Sequence, residues 1–129
     1  MQLRLLPVTM MSALLFLEGC RVSTQLPVKA QDVRICEDVD ALIAIVRGIS
    51  ANQRLSFHYG THPTDYGRQA TFRLIGRNYE IELFNSMSES DYTLRVYKAQ
   101  SEAATDREAE EAFNRFREML IEATSDNCE

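Results

Sequence analysis

Apolar positions recur at helical spacing in two stretches of the chain and alternate in four others. Val39, Leu42, Ile43, Val46 and Ile49 fall at intervals of three and four, which puts them on one face of a helix. Glu37 and Asp38 precede that helix as acids suited to its positive end. Gly48 and the Ser50-Ala51-Asn52 segment mark its end. Leu55, Phe57 and Tyr59 then alternate with Arg54, Ser56 and His58, and Phe72 and Leu74 with Thr71 and Arg73. Tyr79, Ile81 and Leu83 alternate with Glu80 and Glu82, and Tyr92, Leu94 and Val96 with Thr93, Arg95 and Tyr97. A period of two means one buried and one wet face, the mark of an antiparallel sheet. Gly76-Arg77-Asn78 makes a tight turn, 86–91 a looser one, and GTHPTDYG (60–67) reads as a longer link. The last pattern is the most regular. Thr105 or Asp106 is its cap, and Ala109, Ala112, Phe113, Phe116, Leu120 and Ala123 trace its apolar face. Glu108, Glu110, Glu111, Arg115, Arg117 and Glu118 cover the other side.

The first twenty residues, MQLRLLPVTMMSALLFLEGC, follow a different logic. Arg4 precedes an uncharged run of 13 residues, Leu5–Leu17, with Gly19 and Cys20 just beyond it. A positive start, a short apolar run and small residues describe a secretory signal, and Pro7 argues against a regular structural helix. Leu17-Glu18-Gly19-Cys20 resembles the lipobox of bacterial lipoproteins. The resemblance rests on Leu17, Gly19 and Cys20, while Glu18 departs from the usual small or apolar residue. It implies cleavage before Cys20 and attachment of several acyl chains, palmitate among them, to that cysteine. Arg21, standing where an inner-membrane retention Asp is common in this family, implies the outer membrane, with the domain facing the periplasm. The expected division is therefore a signal peptide over 1–19, a lipidated tether over 20–35 and one globular domain over 36–129.

With Cys20 lipidated, two of the three cysteines remain, Cys36 and Cys128. An even pair in an oxidising compartment is expected to form a disulfide. Chain parity agrees. If each helix crosses the sheet once and four strands form a meander, the second helix ends beside the start of the first. Cys36 and Cys128 then meet. The expected fold is α+β, in the order α-β-β-β-β-α: a four-stranded antiparallel meander with the N- and C-terminal helices antiparallel on one face.

Composition adds exclusions. The chain has 129 residues, a net charge of -5 and no apolar run long enough to span a bilayer as a helix. An acidic chain of this kind is not a general nucleic-acid binder. No nucleophile elbow, phosphate-cradling glycine loop or H-E-x-x-H occurs. No catalytic residue, metal or cofactor is therefore assigned, and the chain reads as a non-enzyme.

The expectation is a small lipid-anchored envelope protein that binds another envelope or secreted protein, as assembly partner, inhibitor or immunity protein. The acidic charge favours a basic partner. Arg73, Arg95 and Tyr97 on the outward sheet face, with His62 and Tyr66 in the 60–67 link, are the expected contacts, since Arg and Tyr are enriched at binding hot spots. Glu80 and Glu82 share that face and are expected to pair with Arg73 and Arg95. Two alternatives stand beside this reading. One is a small-ligand or metal-binding lipoprotein using His58, His62 and Asp65. The other is a cell-wall- or lipid-modifying enzyme with Glu80 or Glu82 as acid.

Overall fold

Asp38 begins the first helix by satisfying an amide that the helix itself leaves open: its carboxylate accepts the Ala41 N–H at 2.8 Å. Helix α1 runs over Val39–Asn52 and buries Leu42, Val46, Ile49 and Ser50, the last returning its hydroxyl to the Val46 carbonyl. The chain leaves α1 through Arg54, whose φ of 59° lies in the left-handed region. The computed structural model describes residues 25–65, 67–86 and 89–124.

Strands β1 (Lys29–Arg34), β2 (Ser56–Thr64), β3 (Gly67–Ile75), β4 (Tyr79–Asn85) and β5 (Asp91–Lys98) form one antiparallel sheet in the order β1-β5-β4-β3-β2. Helix α2, Asp106–Ala123, follows, with the Thr105 hydroxyl accepting the Glu108 N–H at 3.1 Å as its cap. The architecture is α+β with an antiparallel sheet and two helices, as the hydrophobic pattern implies.

Register explains the core. Phe72 pairs with Leu83, Leu74 with Ile81, Ile81 with Val96 and Leu83 with Leu94. Residues directly opposite in an antiparallel ladder point to the same side. These side chains are buried, and they share one cluster with Leu42, Val46 and Ile49 of α1 and Phe113, Phe116 and Leu120 of α2. Phe72 packs against Tyr59 and Phe57 with tilted rings, at centroid distances of 4.9 and 6.3 Å.

Two expectations need correction. The sheet has five strands, not four, because Lys29–Arg34, assigned above to a tether, pairs with β5 along its whole length. The strand shows no sustained apolar alternation, since of its inward positions Lys29, Gln31 and Val33 only Val33 is apolar and packs on the core, while Lys29 and Gln31 meet polar groups of α2. Lys29 Nζ donates to Asn114 Oδ1 at 2.9 Å, and Arg117 Nη1 donates to Gln31 Oε1 at 2.9 Å. The second correction concerns 60–67. The pairing of β2 with β3 continues from Ser56↔Ile75 out to Thr64↔Gly67, so only two positions separate the paired ends of the strands. Gly67 takes a φ of 126° at that turn, a conformation open to glycine. Pro63 is tolerated in β2 because the strand lies at the sheet edge.

Candidate functional site

The residues out of phase with the core gather on the second side of the sheet. Glu82 stands directly opposite both Arg73 on β3 and Arg95 on β5. The two arginines divide the carboxylates between them. Arg73 Nε meets Glu80 Oε2 at 2.7 Å along the diagonal, and Arg95 Nε lies 3.8 Å from Glu82 Oε1. Arg95 Nη1 also donates to Tyr97 Oη at 3.1 Å, and Tyr97 Oη donates to Glu82 Oε1 at 3.5 Å. The Arg95 guanidinium lies 4.3 Å from the Phe84 ring centroid, which fixes it by cation–π contact as well as by charge. The cross-strand Arg–Glu pairs expected from alternation are therefore present.

Electrostatics follow from these contacts. The hydrogen bond to Glu80 raises the Arg73 pKa above its ordinary value, against the opposing effect of burial. Partial burial raises the Tyr97 hydroxyl, and the charge of Glu82 acts in the same direction. Exposed pairs of this kind contribute little to stability, about 0–1 kcal/mol each. Their larger effect is to hold the guanidinium groups in place.

Beside this network the sheet forms an open concavity of ≈ 450 Å³, lined by His58 and His62 of β2, Thr71 and Arg73 of β3, Phe84 of β4 and Arg95 of β5. Glu82 contributes the carboxylate of its lining. His58 and His62 are exposed and make no hydrogen bond among the described residues. The floor is apolar at Phe84 and the walls carry unused donors, so the concavity suits an anionic or polar group with an apolar edge.

Of the expected contact residues, Arg73, Arg95 and His62 come together here. Tyr97 sits one step away and orients Arg95. Tyr66 lies outside the described residues, as do Cys20 and Cys128. Cys36 follows β1 by two residues. Gly60 and Gln69 also line the concavity. They escape a sequence reading that ends both strands early, although Gly67 after a two-residue turn is a signal that could have revealed them.

The metal arrangement does not assemble. His58 and His62 lie four residues apart on one strand, about 13 Å along it, too far to share an ion. Among the described residues no group of three or more His, Cys, Asp or Glu side chains could hold a metal ion. No helix among them is long and apolar enough to cross a membrane. Comparison with protein-family models, curated proteins and solved structures finds no match to this chain.

Proposed function

We propose that the chain is a lipid-anchored cell-envelope protein that binds a protein partner through the open face of its sheet. The observation that carries this reading is the concavity, where Arg73, Arg95 and Phe84 are held ready beside two unpaired histidines. In this reading 1–19 is a cleaved signal peptide and Cys20 carries the lipid, with the domain facing the periplasm from the outer membrane. Both helices cover one side of the sheet and leave the other to the partner. Supporting this, both helices contribute to the core cluster whose strand residues register to a common side.

A disulfide between Cys36 and Cys128 completes the proposal. Its support is the common direction of β1 and α2. Asn114 meets Lys29 and Arg117 meets Gln31, so both elements advance toward the same end of the domain. Cys36 lies two residues past β1 and Cys128 five past α2.

The partner in this reading is a protein that is basic overall, as the net charge of -5 favours, with a carboxylate-bearing edge that meets the arginines. The chain's acidic surplus lies elsewhere, with Glu110, Glu111, Glu118 and Glu122 exposed on α2. A second reading, a small anionic ligand, is favoured by one observation: ≈ 450 Å³ is within the range of small-ligand clefts.

The test uses the full chain purified from its membrane. It is expected to carry lipid mass on Cys20 and to capture a stoichiometric envelope protein. Arg95→Glu is expected to weaken capture about tenfold or more, as for charge reversal at a close pair. Cys20→Ser is expected to leave the domain in the soluble fraction. Capture indifferent to Arg95→Glu and Arg73→Glu contradicts the site, and unchanged membrane association of Cys20→Ser contradicts the anchor. Binding of a small anion with no protein captured favours the second reading.

A further inference from the structure

The first described residues are fastened to one end of the sheet. Gln25 Nε2 donates to the Lys98 carbonyl at 2.8 Å, and the Val28 N–H donates to the Val96 carbonyl at 2.8 Å. Gln25 stands five residue steps after Cys20, which fully extended reach at most about 18 Å. A tether running to residue 35 would have let the domain float free, but the pairing of β1 with β5 removes that slack.

The same end of the domain carries a distinctive surface. Gln25, Ile75, Arg77, Glu80, Tyr97 and Lys98 line a second concavity there. Arg77 is exposed and has no ion pair among the described residues, while Lys98, itself partly exposed, pairs with Asp106 at 3.1 Å. Leu26 is 85% exposed, the most exposed of the large apolar side chains described. The opposite end is the β2–β3 turn. The nine residues of β2 put that turn about 27 Å further away. If the turn faced the bilayer, Gln25 would stand beyond the reach of its own anchor.

We infer that the end formed by Gln25, Arg77 and Lys98 rests on the bilayer, with lipid-headgroup phosphates on Arg77 and Lys98 and Leu26 in the interface. This deepens the proposed function and rests on its reading of Cys20 as the lipidated residue. Arginine forms a planar fork that suits phosphate, and apolar side chains beside cations are a common interfacial pairing. The orientation also has a functional consequence. It turns His62 and the β2–β3 turn away from the membrane, where a partner approaching from the periplasm reaches them first.

The test is protection from a bulky thiol reagent, with full-length lipidated protein in phosphatidylethanolamine–phosphatidylglycerol vesicles. Single cysteines are introduced at Ser101→Cys, next to the inferred contact, and at Asp65→Cys, at the far turn. Each is compared with the same variant in detergent. Ser101→Cys is expected to react several-fold more slowly in vesicles, Asp65→Cys at the same rate in both. Adding Arg77→Glu is expected to reduce the protection at position 101. Equal rates at both positions, with lipid mass present on Cys20, overturn the orientation alone. Protection at Ala30→Cys in place of Ser101→Cys lays the β1 edge on the bilayer and also overturns it. Absence of lipid mass overturns the anchor reading and this inference with it.

Discussion

Phe72→Ala is expected to lower the unfolding free energy by about 3–5 kcal/mol, the range for removing a buried aromatic ring from a core. Phe72 is 0% exposed and sits on β3, directly opposite Leu83 of β4 and Tyr59 of β2. The ring also packs on Tyr59 and Phe57. Alanine removes the transfer free energy of the ring and leaves a void that the paired strands on both sides cannot close without breaking ladder bonds. The effect is read as a shift in the midpoint of denaturant unfolding at unchanged slope. A loss below about 1 kcal/mol would mean that the site repacks and that the ring is not the centre of the core. Ile121→Ala is the control. Its side chain is 58% exposed, and its replacement is expected to stay within about 0.5 kcal/mol.

Breaking the proposed Cys36–Cys128 bridge is expected to cost about 4–5 kcal/mol, the chain-entropy value for a loop near one hundred residues. The sign follows from the unfolded state. A bridge across nearly the whole domain restricts the open chain more than it restricts the folded one. The expected size also assumes little native strain, which is consistent with β1 and α2 advancing side by side toward the same end of the domain. The measurement compares unfolding of the oxidised domain with that of Cys36→Ser, after peptide mapping has identified the cross-linked pair. Oxidised and reduced proteins of equal stability would contradict the bridge, as would a mapped link between other cysteines.

Much of this fold was legible because its core obeys simple periods. Leu42, Val46 and Ile49 lie on a helical face, and Phe72, Leu74, Ile81, Leu83, Leu94 and Val96 alternate without exception, so both elements and faces follow from spacing. Local sequence narrowed the second cap to Thr105 or Asp106, and Thr105 takes it. β1 was not legible. Two of its three inward side chains, Lys29 and Gln31, reach across to Asn114 and Arg117, and Val33 alone is too short an apolar trace to mark a strand. The outer half of the β2–β3 hairpin was hidden by Gly60, Pro63 and Gly67, which usually punctuate strands but are admissible at an edge and a two-residue turn. For the site, alternation brought out Arg73, Arg95, Glu80 and Glu82. It could not show that Arg73 takes Glu80 on the diagonal, nor that Arg95 lies over Phe84, because those choices depend on register and side-chain reach.

The corrected hairpin also changes the chemistry on offer. His62 was expected in a loop beside Asp65. On β2 it joins His58 on the outer side of the sheet, next to the arginines and far from sharing an ion with its neighbour. That shift brings His62 to the same rim as Arg73 and Arg95.

The central claim is that a protein partner occupies the open sheet face. It is tested most directly by photo-cross-linking in living cells, with a photoreactive side chain at Thr71 in the concavity or at Glu118 on the exposed side of α2. A discrete protein adduct from position 71, lost on Arg95→Glu and absent from position 118, is the expected result. Adducts from position 118 alone, or none from position 71 in folded, membrane-bound protein, would contradict the claim.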